Sequence, residues 1–489
     1  MFPTRNCPRW FAMLFVSCFL SAGCRKSRPP ESETTPVVVT DTSQTPSEDV
    51  DSPPAVQPGT SPSLPVLGPE IPFDLIVTVT PPTLDSLQHD FDVMSWNTFV
   101  ALNWPANADG EPAHDQMIGQ DHDNSTVWET WKESYEIFLP NGKVPTPWGT
   151  SHAPLPSWPQ HWKDLSSQGG KILMQVGKTP GVLDESVEPF KTGPLIDQNG
   201  KYARFEILVN KTMFDYIVTN KLYSKQAQQD ITKIVFPCGL QKKVDNKNIV
   251  EQIGAIMVKA AWKLLDEDEV QSRRFHKTQA IVYTPPSTEP KIEEKCELAW
   301  VGLVGLHVVH KTPGSPQWVW STFEHVNNCP TQGDSPQNRQ EKYNFFRKDD
   351  LDAKVNTPAP RPWDPNATEP PSRQSQIERQ IPITADVQTL NAEFQAAFRK
   401  VNKDSVWQHY QLISTQWPTK PSSDCDVQVG SPVDVIGTPA PQFLANSTLE
   451  SYIQGNVPNV SSSCLECHAN ATTTNAIFSD FTYLLQRAQ

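Results

Sequence analysis

Residues 300–326 read WVGLVGLHVVHKTPGSPQWVWSTFEHV, and they carry the clearest structural signal in the chain. Two runs rich in aliphatic and aromatic residues, 300–309 and 317–326, lie on either side of the segment TPGSP at 312–316. β-branched and aromatic residues favour strands, whereas proline, glycine and serine favour turns. The pattern therefore predicts a β-hairpin whose two strands are joined at 312–316.

Around this hairpin, apolar periodicity predicts both helices and further strands. A period near 3.6 residues indicates helices at 84–102, 249–265 and 387–401. Alternation and short apolar runs indicate strands at 71–79, 202–209 and 406–417. We therefore expect an α+β fold, a single large mixed domain over residues 71–455 with long Pro-rich loops such as 349–382.

Charge and hydropathy exclude two classes of partner contact. The chain has 489 residues, with 41 Lys and Arg against 55 Asp and Glu, so its formal charge is 41 − 55 = −14. Nucleic-acid binding needs clustered basic side chains that neutralise phosphates, so no nucleic-acid partner is expected. No apolar run reaches the roughly 18 residues that a membrane-spanning helix requires.

The N-terminus predicts export. Residues 1–24 have basic residues at Arg5 and Arg9 and a short apolar core at 10–20, which is the pattern of a signal peptide. Residues 20–24, LSAGC, resemble a bacterial lipoprotein processing site, in which the cysteine, here Cys24, receives the lipid. Ser21 stands where that motif usually has leucine, so an ordinary secretory peptide is the alternative.

A tether is expected to follow the signal. Residues 25–70 contain ten prolines and no aromatic residue, and such a composition predicts disorder. If Cys24 is lipidated, Arg25 in place of aspartate resembles the signals that direct lipoproteins to the outer membrane. The expected location is the bacterial cell envelope, lipid-anchored at the periplasmic side of the outer membrane.

The motif that carries chemistry is CLECH at Cys464–His468. This is the spacing of c-type haem attachment, in which two thiols form thioethers with the haem vinyl groups and the histidine becomes an axial iron ligand. A Cys464–Cys467 disulfide and half of a zinc site are the alternatives. Zinc would need two further ligands at a compatible spacing, and no second Cys-x-x-Cys is present.

Through this motif the chain resembles c-type cytochromes. Residues 95–105, SWNTFVALNWP, and 317–325, QWVWSTFEH, are also similar to segments of a bacterial group identified only as "cytochrome c family". The resemblance spans most of residues 90–489. It implies one covalent haem c and a redox function, and it names no substrate.

The position of the motif differs from that in small soluble cytochromes c. Only 21 residues follow His468, and none of them is methionine. The attachment segment, 456–489, must therefore pack its haem against the body. The sixth iron position is either empty or filled from upstream.

The hairpin supplies most of the upstream candidates. His307 and His310 are three residues apart on a strand, so they point to opposite faces. If Lys311 lies opposite Trp318, then His307 lies opposite Thr322. Glu324 is then a diagonal neighbour of His307 on the same face.

Other candidates depend on a different register or another strand. A one-residue slip would place His307 and His325 on one face instead. We therefore consider His307, Glu324 and His325 as catalytic candidates, and His307, His310, His325 or His409 as possible distal ligands. The alternative for each is a core histidine with satisfied hydrogen bonds.

Four more cysteines are expected to form two disulfides in an exported protein: Cys238, Cys296, Cys329 and Cys425. Three connectivities are possible. Cys296 and Cys329 flank the hairpin, which favours their pairing.

Three functions are compatible with these features. The first is an electron-transfer cytochrome that serves a redox partner protein. The second is a haem oxidoreductase with an open distal site for a small molecule such as peroxide or a nitrogen compound. The third is a non-redox binding lipoprotein with a Cys464–Cys467 disulfide.

Overall fold

The predicted hairpin lies at the centre of a nine-stranded sheet. Strand β10 (Lys295–Thr312) pairs antiparallel with β11 (Ser315–His325), and His307 lies opposite Thr322. The register predicted from the turn is therefore confirmed.

The structure is a computed structural model that describes residues 64–120, 125–150, 160–167, 171–174, 193–243, 249–288, 291–335, 340, 342–350, 354–359, 363–364, 374–422, 424–425, 438–455 and 463–489. The predicted signal peptide, Cys24 and most of the predicted tether lie outside these residues. Pro62–Gln489 form one compact unit.

Within the described residues the helices are α1 (Leu84–Leu102), α2 (Ser134–Ile137), α3 (Gln160–Ser167), α4 (Lys211–Thr219), α5 (Glu267–Gln271), α6 (Ala385–Val401) and α7 (Cys464–His468). The other strands are β1 (Lys132–Glu133), β2 (Lys171–Leu173), β3 (Arg204–Val209), β4 (Gly239–Lys243), β5 (Ile249–Ile253), β6 (Ile256–Leu264), β7 (Lys277–Thr284), β8 (Ser287–Thr288), β9 (Lys291–Ile292), β12 (Tyr410–Pro418) and β13 (Pro439–Ala440). The predicted α+β fold class is confirmed.

The large sheet has the order β1-β3-β6-β10-β11-β12-β13. Strand β10 is long enough to pair with β7 through residues 295–302 and with β6 through residues 301–310. Strand β2 extends the β7 branch in parallel. All pairings of β10 are antiparallel. The direction of its pairing with β11 follows from the short hairpin connection between them.

One face of the sheet is covered by α1 and α6. Thr83 caps α1 by accepting a hydrogen bond from the Ser86 N–H. Trp96 of α1 is fully buried, stacks on Phe394 of α6 at 4.8 Å, and meets Phe323 of β11 edge-on at 5.1 Å. These aromatic contacts join both helices to the hairpin.

The opposite face is covered by the C-terminal chain. Leu465, Phe481 and Leu484 belong to one apolar cluster with Val309 of β10 and Trp320 of β11. The residues predicted to attach haem therefore rest directly on the central hairpin.

Two predicted elements are wrong. Residues 249–265 form β5 and β6 rather than a helix, because β6 is an internal strand buried on both faces and its apolar residues therefore run almost continuously. Residues 71–79 form no strand; instead the Thr78 N–H and hydroxyl donate to the Asp90 carboxylate at 2.9 and 2.6 Å.

The favoured disulfide pairing is also wrong. Cys238 is joined to Cys425, with Cα atoms 6.0 Å apart, whereas Cys296 and Cys329 are thiols. Cys296 lies at the start of β10, which pairs there with β7, and the pairing of β10 with β11 begins only at Gly305, so flanking the hairpin does not bring Cys296 and Cys329 together. None of the described helices is long and apolar enough to cross a membrane.

Disulfide mapping tests this connectivity. Cys238 and Cys425 are 187 residues apart, so their bond constrains a large part of the unfolded chain. Replacing both with serine should lower the free energy of unfolding by roughly 2–5 kcal/mol in denaturant titrations. The matched pair Cys296→Ser and Cys329→Ser removes no disulfide. Peptide mapping that found Cys296 linked to Cys329 would contradict this connectivity.

Candidate haem-attachment site

The pentad forms the short helix α7, whose position is fixed by its own sequence and by one sheet residue. The Ser463 hydroxyl caps the helix by accepting the Glu466 N–H at 3.3 Å. Gln416 of β12 accepts the Leu465 N–H at 2.9 Å, and the Leu465 side chain is fully buried. Because cysteines three apart lie on one side of a helix, both half-buried thiols face the same way.

His468 has the tautomer that an axial ligand needs. Its Nδ1 lies 2.8 Å from the Phe481 carbonyl oxygen, which can only accept, so Nδ1 carries the hydrogen. The lone pair of Nε2 is therefore the one available to a metal. Histidine ligands in proteins usually donate their second ring N–H in this way.

The surroundings of His468 keep it neutral. Its ring lies 4.5 Å from the Trp320 ring and 5.3 Å from the Tyr483 ring. Burial lowers the pKa of His468 to about 4, although the hydrogen bond to Phe481 opposes this effect. At neutral pH the imidazole therefore has a free lone pair rather than a second proton.

A half-exposed row crosses the sheet beside this helix. Ile207, Lys259 and His307 are neighbours in register across β3, β6 and β10, and all three are partly exposed. On one side of the row the sheet is buried under the C-terminal chain, and on the other it is buried under residues around Leu449. We call the half-exposed row and its two borders the sheet groove.

A second histidine and a carboxylate meet in the sheet groove. His307 Nε2 lies 3.2 and 3.1 Å from the two carboxylate oxygens of Glu450. Glu450 comes close because Gly305 of β10 leaves room for Thr448, whose hydroxyl would overlap any Cβ at that position. A glycine two residues before His307 thus lets the 446–450 segment lie on the sheet.

The charged groups that act on the pentad indicate that it lies beside the sheet groove. Besides burial, the charges of Lys259 and His307 lower the pKa of His468, and that of Glu450 raises it. Burial raises the pKa of the Cys464 thiol, and Glu450 contributes to that rise. The residues of the pentad and the His307–Glu450 pair therefore share one side of the sheet.

Glu324 and His325 have structural partners elsewhere. Glu324 accepts two hydrogen bonds from Arg379 at 3.0 and 2.7 Å, and two from the Ser447 N–H and hydroxyl. His325 Nε2 contacts the Arg274 carbonyl at 3.0 Å, and its ring stacks on Phe275 at 4.4 Å. The carboxylate that the structure brings to His307 is thus Glu450 rather than Glu324.

His310 and His409 are also separate from the pentad's side of the sheet. His310 neighbours Ile256 and Val319 in register, and it faces the side opposite to His307, as the strand alternation predicts. His409 lies in a turn beside His325, with ring centroids 6.1 Å apart. Of the proposed distal ligands, only His307 lies on the groove that the pentad borders.

Sequence reasoning missed Glu450, Lys259 and the Phe481 carbonyl. The lysines inside the apolar run IMVKAAWKL did not identify Lys259, since the second one, Lys263, is 2% exposed and pairs with Asp197 and Glu269. Glu450 and Phe481 had no local signal at all. Glu450 is identified only by its contact with a residue distant in sequence, and Phe481 acts through its backbone carbonyl.

The sequence left a disulfide and a zinc site as alternatives for the pentad. Cys464 and Cys467 are thiols rather than a disulfide. Across the described ranges, no group of three or more His, Cys, Asp and Glu side chains could hold a metal ion. Comparison of the chain with protein-family models, with curated proteins and with solved structures finds no match.

The pH dependence of stability tests the placement of His310. This side chain is 2% exposed, neither ring nitrogen has a hydrogen-bond partner among the described residues, and burial lowers its pKa from 6.5 to about 3. The unfolded chain therefore binds a proton below pH 6.5 that the folded chain excludes. This contribution to stability is complete above pH 6.5 and is lost as the pH falls toward 3. Each pH unit in between costs about 1.4 kcal/mol.

His310→Leu should remove that dependence. In urea titrations between pH 6 and pH 4, the variant's free energy of unfolding should fall less steeply than the wild type's, by about 1.4 kcal/mol per pH unit. His89→Leu, at an exposed site, is the control and should keep the wild-type slope. An unchanged slope in His310→Leu would show that His310 is not buried as a neutral side chain.

Proposed function

We propose that the protein is an envelope cytochrome with one covalent haem c, attached through Cys464 and Cys467 and ligated by His468. The observation that carries the proposal is the hydrogen bond from His468 Nδ1–H to the Phe481 carbonyl, which reserves Nε2 for iron. The bound haem would supply an iron centre that changes oxidation state.

The residues present fit such a group. The two thiols and the imidazole lie on one five-residue helix, and the Leu465 side chain and Gln416 fix that helix to the sheet. The sheet groove lies beside them and is partly exposed, whereas most of the sheet is buried. An apolar cluster with Trp320 and Phe481 backs the site, and such surroundings restrict water around a redox centre.

Between the two redox functions, the pairing of His307 favours an oxidoreductase with an open distal side. His307 Nε2 is paired with the Glu450 carboxylate at 3.1 Å. A histidine paired with a carboxylate can hold or deliver a proton, as reduction of a small molecule such as peroxide or a nitrogen compound requires.

Electron transfer to a redox partner protein is the second candidate. The observation in its favour is that His307 borders the same groove as His468. If His307 bound the iron instead of pairing with Glu450, two histidines would hold the iron. Such an iron would have no open position for a substrate.

The cellular context is part of the proposal. Export through residues 1–24 would bring the chain to the compartment where haem c is attached, and lipidation of Cys24 would anchor it to the membrane. The periplasmic side of the outer membrane is the proposed location.

Haem attachment has a direct test. The full chain, produced in a bacterial host with haem c maturation, should give a pyridine haemochrome spectrum of one haem c that resists acid extraction. Cys464→Ala combined with Cys467→Ala should lose all covalent haem. The matched control, Cys296→Ala combined with Cys329→Ala, should keep it. A wild-type chain with a Cys464–Cys467 disulfide and no haem would instead support a non-redox binding lipoprotein.

Carbon monoxide distinguishes the two redox functions. We expect the ferrous wild-type protein to bind carbon monoxide, because Glu450 occupies His307 Nε2. Glu450→Gln weakens the interaction of residue 450 with His307 and lets His307 compete for the iron, so the affinity for carbon monoxide should fall several-fold. Adding His307→Ala to this variant should restore that affinity. A wild-type protein that binds no carbon monoxide, but gains binding in His307→Ala, would assign electron transfer.

A further inference from the structure

The carbonyl that receives the His468 hydrogen bond belongs to an unusual turn. Asp480 and Phe481 both have left-handed backbone conformations, with φ of 51° and 66°. Residues other than glycine rarely adopt this region, and a bulky side chain such as phenylalanine is especially disfavoured there. Strained backbone of this kind persists only where the surrounding structure holds it.

A buried ion pair holds this turn. The Asp480 carboxylate lies 2.5 Å from Lys311 Nζ, and both side chains are almost completely buried. The same carboxylate accepts the Phe236 N–H at 2.7 Å. Lys311 belongs to the end of β10, where the hairpin register shifts between His310 and Thr312. The central hairpin is thus connected to the turn that orients the candidate axial ligand.

Neighbouring contacts complete the attachment. The Ser479 hydroxyl donates to the Thr482 carbonyl at 2.5 Å, and the Tyr483 hydroxyl donates to the Cys467 carbonyl at 2.9 Å. The Phe481 side chain is 4% exposed within the apolar cluster below α7. The Thr482 N–H donates to the Ser479 carbonyl at 3.2 Å and so closes a turn around the two left-handed residues, and the Lys311–Asp480 pair joins the first of them to the central hairpin.

We propose that Lys311 and Asp480 are positioning residues for His468. Their ion pair holds the 480–481 turn in the conformation that presents the Phe481 carbonyl to Nδ1, and thereby selects the tautomer with a free Nε2. This effect on the imidazole does not depend on haem. Its redox consequence rests on the proposed function: a hydrogen bond from Nδ1–H makes Nε2 a stronger donor, which stabilises the oxidised iron.

The variant that tests this role is Lys311→Met combined with Asp480→Asn. Replacing both partners leaves no buried charge uncompensated. Asparagine keeps an oxygen for the Phe236 N–H and tolerates the left-handed conformation, so the variant should still fold. The matched control is Lys263→Met combined with Asp197→Asn, which removes another buried lysine–aspartate contact of 3.2 Å; Lys263 also pairs with Glu269, whose carboxylate is partly exposed and can be solvated instead.

The first readout uses the full chain without haem. In a Cys464→Ala and Cys467→Ala background labelled with ¹⁵N-histidine, NMR should show His468 at pH 7 as a single Nδ1–H tautomer. The Lys311 and Asp480 variant should show both tautomers in exchange, and the control should match its parent. An unchanged tautomer in the folded variant would overturn the proposal.

The second readout uses the haem-loaded protein. Spectroelectrochemical titration should give a more positive midpoint potential in the Lys311 and Asp480 variant and the wild-type potential in the control. If the double variant does not fold, Lys311→Gln combined with Asp480→Asn, which also leaves no charge in the interior, should move both readouts in the same direction by a smaller amount; no movement would overturn the proposal. A wild-type chain without covalent haem would refute the proposed function, while the tautomer experiment would still decide the role of the ion pair.

Discussion

Hydrogen-bond satisfaction along one strand organises this protein. Strand β10 is 18 residues long and pairs with β7 in its first half, β6 in its second, and β11 across the hairpin. A buried strand of that length can leave few backbone groups unpaired. The register of its neighbours is therefore fixed, and with it the face on which each side chain lies. His307 and His310 lie on opposite faces because side chains alternate along this strand.

The candidate site is a consequence of what covers each face. Helices α1 and α6 bury one side with aromatic contacts, and the C-terminal chain buries part of the other. Between the C-terminal chain and the residues around Leu449, the row of Ile207, Lys259 and His307 stays half-exposed. A site in such a gap combines an apolar backing with a few partly exposed polar side chains, as a cofactor site usually does.

Buried ion pairs fix the segments that lack regular structure. Arg379 reaches Glu324 of β11 from the described part of the Pro-rich region, and Asp480 reaches Lys311 from the C-terminal turn. Such pairs cost desolvation and add little net stability compared with apolar packing. Their geometric demands, however, determine where a loop lies. In this chain both pairs end on the central hairpin, so the loops are positioned by the same strands as the core.

Local signals were sufficient for several features. The turn chemistry of residues 312–316 predicted the hairpin and its register, and helical spacing predicted α1 and α6. These features depend on neighbours within a few residues. The strand character of β6, the Cys238–Cys425 disulfide, the choice of Glu450 over Glu324 as partner of His307, and the Phe481 carbonyl at His468 were settled by the folded chain. Each depends on contacts between distant residues or on a backbone angle, and burial on both faces erases the periodicity that would have revealed a strand.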